Sequence, residues 1–194
     1  MDQLIREIEA AARRIMGEDP AHGWPHIVRV RRNARMIVEA EDLAVDWLVL
    51  DAAILLHDVG RNLPGEGHHA LKSASYAREL LAGLNAHGII DRVEHAIKAH
   101  SYSLGVPAET VEAKVLSDAD KLDALGAIGV ARAFHHGCTV GRGFETTIEH
   151  MLDKLVKLPR YMYFEHTRRI AAERVEFIQL FIRQYRLETG WGNP

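Results

Sequence analysis

Apolar positions recur along this chain with the period of a helix. Leu4, Ile5, Ile8, Ala11, Ala12 and Ile15 fall at spacings of three and four, which predicts a helix over 2–16 with one apolar face. Gly17-Glu18-Asp19-Pro20 stops it. Pro25 suits the first turn of a second helix reaching about Ala40. A third opens near Asp46 and runs through Leu55; it is apolar almost all round, so burial is expected. Gly60 to Gly67 reads as a turn-rich loop. Further helices are predicted over 68–83, 87–100, 108–116, 118–134, 145–157 and 164–188. His136 to Gly143 is glycine-rich and reads as a mobile connection, with a closing lid as the alternative. Tyr161, Tyr163, Phe164, Phe177 and Phe181 read as core, and Trp24 as an apolar anchor at a helix start. No useful length of chain alternates with period two. The expected class is all-α: one compact helical domain over 1–194, with its chemistry over about 22–134 and closing helices over about 145–188.

Composition narrows the field. The chain has 194 residues, 47% hydrophobic and 26% charged, a balance that excludes disorder, collagen and a fibrous coil. A formal net charge of −3 argues against binding long nucleic acid and leaves a small nucleotide open. The single cysteine, Cys138, excludes an internal disulfide and a cysteine-based zinc site, and fits a reducing cytoplasmic location. The first residues lack the basic head and apolar core of a signal peptide. Leu43 to Leu56 is interrupted by Asp46 and Asp51, too short and too charged to span a bilayer. The apolar content permits a homodimer without demanding one.

Among twelve histidines, His57 is singular. His57-Asp58 follows Ile54-Leu55-Leu56 directly, at the end of the helix expected to be buried. Burying an imidazole and a carboxylate there is costly without a partner. A divalent cation would serve both; local capping is the alternative. Ser117-Asp118-Ala119-Asp120-Lys121-Leu122-Asp123 sets three acids beside an apolar helix. Asp118 as an N-cap, with Asp120 and Asp123 favouring a helix N-terminus, is the plain reading of that run. His22-Gly23-Trp24-Pro25-His26 opens the second helix.

Together, His26, His57-Asp58 and Asp120 resemble the HD superfamily of metal-dependent phosphohydrolases, named for its His-Asp doublet. His26-Ile27-Val28-Arg29-Val30 is similar to the His-x-x-Arg-Val of its first motif, and Leu56-His57-Asp58-Val59-Gly60-Arg61 to its central one. Asp118 to Gly126 resembles the last. Arg132-Ala133-Phe134 and the C-terminal helix resemble the branch of small bacterial and archaeal nucleotide pyrophosphohydrolases. The resemblance implies an all-helical fold and His26, His57, Asp58 and Asp120 as metal ligands. Asp120 is preferred to Asp118 because the family's ligand aspartate stands three residues before the residue preceding an alanine, here Asp123-Ala124. Two histidines and two aspartates, without thiolate, suit Mn²⁺, Fe²⁺, Co²⁺, Ni²⁺ or Mg²⁺ better than a closed structural zinc.

The helpers expected around that site are Arg61, His69, His100 and Lys121, with Asp58 itself. Arg61 is a phosphate binder or a solvated loop arginine. Lys121 neutralises phosphate or pairs with Asp118 or Glu112. Arg29, one turn from His26, meets phosphate or an acid. His69 and His100 hold a second metal, contact phosphate or shuttle a proton; helix-end histidines are the alternative. The implied function is a phosphohydrolase in which metal-activated water attacks a nucleotide phosphate, splitting a nucleoside or deoxynucleoside triphosphate to monophosphate and pyrophosphate. A 5′-nucleotidase is the nearest rival, although Arg61 stands where that type carries a glutamate. A cyclic-nucleotide phosphodiesterase is favoured only if two metals bind. A guanosine tetraphosphate hydrolase would need an acidic pair where Arg61-Asn62 stands. Alternatives of another class are a non-catalytic nucleotide sensor, which binds nucleotide without turnover, and a structural helical adaptor.

Overall fold

The structure, a computed structural model, describes residues 2–192, with side chains over 3–192. Among the described residues it is all-α, with no strand. The helices are α1 (Asp2–Met16), α2 (Trp24–Ala40), α3 (Trp47–Leu56), α4 (His69–Gly83), α5 (Ile90–His100), α6 (Val111–Asp123), α7 (Gly126–Thr139), α8 (Phe144–Asp153) and α9 (Glu165–Thr189). Short 3₁₀ segments lie at Val59–Arg61, His87–Ile89 and Leu155–Tyr161. The packing divides the chain into two compact units, one ending at Asp120 and one beginning at Lys121.

In the first unit α3 is the core element. Val49, Leu50, Ala52, Ala53, Ile54, Leu55 and Leu56 are all solvent-inaccessible. Each Leu or Ile so buried contributes about 1.5–3 kcal/mol. The helix begins where Asp46 accepts from the backbone N–H groups of Leu48 and Val49 at 3.1 and 3.4 Å, as a capping aspartate should. Helices α1, α2 and α5 pack against it, and α4 lies on α5 and on the Val59–Arg61 turn. A charged lock fixes three of these helices together: Arg31 of α2 donates to both carboxylate oxygens of Asp51 on α3, at 2.9 Å each, and reaches Glu9 of α1. Trp24 is buried as the anchor expected, with the Arg13 guanidinium 4.0 Å above its ring.

Three expectations are corrected. The helix break expected at Ser117 lies later, at Ala124-Leu125, where Leu125 is extended (φ −119°, ψ 165°). Asp118 therefore sits inside α6, fully buried, and is not at a helix N-terminus. The acids of that run mark the end of a helix, where Asp123 pairs with Arg132 at 2.8 Å. The glycine-rich stretch is no loop at its start: α7 continues through His136, Gly137, Cys138 and Thr139, because Gly137 lets it pack closely on Thr147 of α8. The connection itself is residues 140–143. The aromatic set is also less buried than its spacing suggested. Tyr161, Tyr163 and Phe177 are exposed, and Phe164 and Phe181 are half-buried. In the second unit Phe134 meets Phe144 and Phe181 edge to face, at 5.3 and 5.7 Å between centroids.

Candidate metal centre

Six elements bring side chains of the first unit to one cluster. His26 comes from the first turns of α2, His57 caps α3, and Asp58 precedes the Val59–Arg61 turn that carries Arg61. His69 opens α4, His100 closes α5, and Asp120 lies near the end of α6. Helix ends are where such side chains can converge, because there the direction of the chain changes while the packed helices hold position.

His26, His57, Asp58 and His100 are buried to 2% exposure or less. His57 Nδ1 donates to the Ile54 carbonyl at 2.8 Å, and His100 Nδ1 to that of Ile97. These bonds use the Nδ1 proton of each ring and leave Nε2 directed into the cluster. His26 Nε2 lies 3.2 Å from His57 Nε2 and 3.4 Å from Asp120 Oδ1. Burial pushes His57 down to about 4, so its imidazole is neutral at ordinary pH.

Asp58 stands at the centre. Its Oδ2 accepts from Arg61 Nε at 2.6 Å and lies 3.8 Å from His26 Nε2. Its Oδ1 is buried and has no hydrogen-bond partner; His69 Nε2 at 3.5 Å and His100 Nε2 at 3.8 Å are its nearest nitrogens. Burial raises the Asp58 carboxyl, but the Arg61 guanidinium and the imidazoles outweigh it and hold the group well below the usual carboxylate range. Asp120 is held low by His26, His100 and His57 against its own burial. Burial and then Arg61 push His69 down to about 3. Its Nε2 lies 3.3 Å from Arg61 Nη2.

This donor set fits a divalent cation. A buried anionic oxygen without a hydrogen bond costs several kcal/mol unless a cation faces it. The Nε2 atoms of His26 and His57, 3.2 Å apart, are close enough to share one ion. His26, His57 and Asp58 offer ligand atoms within 4.8 Å of one another, and so do Asp58, His69 and His100. All are nitrogen or oxygen donors.

Three further residues have contacts of their own. Lys121 belongs to the second unit, buried, with Nζ 5.7 Å from the Tyr163 ring centre. Arg29 donates to the Pro20 carbonyl at 3.1 Å and so braces a loop. His68 caps α4 through the Ala70 N–H and bonds Ser103. One residue was missed. His22 brings Nδ1 within 3.6 Å of Asp58 Oδ2, and its ring stands edge-on to His26. The signal was visible in His22-x-x-x-His26, but a residue just outside a helix has no face that periodicity can assign.

A family model for the HD domain matches residues 23–125, more than half of the chain. The chain belongs to the HD domain family. As an HD protein it is a metal-dependent phosphohydrolase. It is 32% identical over 176 residues to the uncharacterized protein YpgQ of Bacillus subtilis (strain 168), covering 86% of this chain and 84% of that one. The crystal structure of YpgQ superposes with a TM-score of 0.77 at 30% identity, over 96% of each chain. YpgQ in complex with ADP gives 0.72 at 30% identity, over 97% of each. An HD-superfamily hydrolase from Bacillus thuringiensis gives 0.72 at 29%, over 98% of each. Among the described residues no helix of this HD protein is long and apolar enough to cross a membrane.

Proposed function

We infer that this HD phosphohydrolase holds one divalent cation on His26, His57, Asp58 and Asp120 and hydrolyses a nucleoside or deoxynucleoside triphosphate to monophosphate and pyrophosphate. The observation that carries the reading is Asp58: a buried carboxylate, ringed by imidazoles, with one oxygen lacking any hydrogen bond. A cation held by these four residues would supply Lewis acidity toward a phosphoryl group and toward water. The chain's own groups do the remaining work. Ile54 and Ile97 carbonyls fix the tautomers of His57 and His100. Arg61 orients Asp58, and its guanidinium, a third exposed, suits the charge of a polyphosphate. His69, kept neutral by burial and by Arg61, offers a hydrogen-bonding imidazole beside it. A nucleotide as the substrate class is supported by the crystal of the related YpgQ with ADP. Lys121 stays in the reading as the neighbour of Asp120, for phosphate neutralisation; the four ligands do not depend on it.

A second reading has its own observation: Asp58 Oδ1 faces His69 and His100, a second possible ligand group. A second cation there would favour cyclic-nucleotide hydrolysis. Arg61 argues for the first reading, since it places a positive charge 3.3 Å from His69 Nε2.

The test is hydrolysis of a nucleotide panel by chelator-stripped protein resupplied with Mn²⁺, Co²⁺ or Mg²⁺. Metal content is measured alongside, and Asp58→Ala is the control. Expected are pyrophosphate from triphosphates, one metal per chain, and loss of both metal and hydrolysis in Asp58→Ala with helix content kept. Phosphate from monophosphates points to a nucleotidase. Two metals with cyclic-nucleotide turnover point to the second reading. Nucleotide binding with metal bound and no turnover would make the protein a sensor.

A further inference from the structure

The cluster has a buried floor and a partly open mouth. His26, His57, Asp58 and His100 form the floor. The mouth is framed by His22 and Asp120, each 27% exposed, Arg61 at 33% and His69 at 19%. A phosphate entering the site passes these four first, and three of them can donate a hydrogen bond to it.

His22 is held there by a rigid loop. Asp19 Oδ1 accepts from the N–H of His22 at 2.7 Å and of Ala21 at 2.9 Å. The N–H of Gly23 donates to Asp19 O at 2.7 Å, and that of Trp24 to Gly17 O at 2.8 Å. A Cβ at Gly23 would lie 2.5 Å from the Asp19 backbone, so only glycine closes the loop this tightly. Arg29 ties Pro20, and Asn62 bonds the Ile15 and Met16 carbonyls at 3.0 Å each. A chain segment with this many ties holds one geometry, as a binding group requires.

We propose that His22 is a substrate-contacting residue, donating an imidazole N–H to a phosphate oxygen at the mouth that Arg61 and His69 also frame. The inference rests on the phosphohydrolase reading for its ligand class, not for its test. The experiment is calorimetric titration of Mn²⁺-loaded protein with ADP and with inorganic pyrophosphate, with metal content measured separately. His22→Ala should weaken binding roughly 10-fold or more, the usual loss of a hydrogen bond to a charged group, with metal content unchanged. His22→Asn, which keeps a short N–H donor, should recover most of that loss. Asp19→Ala, which frees the loop, should weaken binding in the same direction by less. In turnover the loss should fall on KM more than on kcat. Loss of metal together with binding in His22→Ala overturns the proposal and makes His22 a support of Asp58. Unchanged binding also overturns it. Binding of pyrophosphate that depends on His22, in a protein that hydrolyses no nucleotide, sustains this proposal and removes the proposed reaction. Binding of neither probe by the unaltered protein overturns both.

Discussion

Gly60→Ala tests how tightly the candidate metal centre is built. Gly60 is buried between Asp58 and Arg61, and its N–H donates to Ser73 Oγ at 2.8 Å. A Cβ at this position would lie 2.1 Å from the His69 carbonyl oxygen and 2.7 Å from the Ser73 N–H nitrogen. Both are backbone atoms of α4, so no side chain can swing aside. Ordinary contact begins near 3.4 Å, so the turn and α4 must part by about 1.3 Å. Overpacking of this kind costs about 1–3 kcal/mol, and stretching the bond to Ser73 adds about 1 kcal/mol. The expected loss is about 2–4 kcal/mol, or roughly 5–15 °C in Tm for a chain of this size. The same movement separates Asp58 and Arg61 from His69, which now lie 3.5 and 3.3 Å away. A shift of about 1 Å at reacting groups lowers turnover on the order of 100-fold. Thermal denaturation, metal content and hydrolysis are to be measured on one preparation. A variant that melts within a degree of the parent with full activity would refute the account of how α4 is docked.

Two further outcomes are expected. Asp120→Asn should lose metal more severely than Asp118→Asn, because Asp120 lies 3.4 Å from His26 while Asp118, about 200° away around α6, is buried on another face. Metal analysis of the two variants checks this, and the reverse ranking would transfer the ligand role to Asp118. The metal-free protein should lose stability on acidification. His57 titrates at about 4 when folded and near 6.5 when unfolded, so between these values the unfolded chain binds the extra proton. Stability is then full above pH 6.5 and falls toward pH 4, by about 3 kcal/mol from this residue. His69, at about 3, acts in the same direction. Thermal midpoints of chelator-stripped protein from pH 7 to 4 should fall, more steeply than in His57→Gln; a rise would contradict the sign.

The all-α class, the extent of α1 to α3 and the burial of α3 were legible in the chain, because helical periodicity is local and an apolar helix has only the interior to occupy. The His57-Asp58 doublet was legible for the same reason: two polar groups fixed to the end of a buried helix need a partner. Periodicity could not place the break between α6 and α7. Asp118 suits an N-cap locally, yet packing keeps it inside a longer helix. Nor could it expose Tyr161 and Phe177, since burial depends on what lies opposite a helix face. His22 shows the limit most clearly. Its sequence neighbours make it a loop residue. Only the docking of α2, α3 and the Val59–Arg61 turn puts it 3.6 Å from Asp58, because distances across a cluster are set by the packing of whole helices and not by spacing along one.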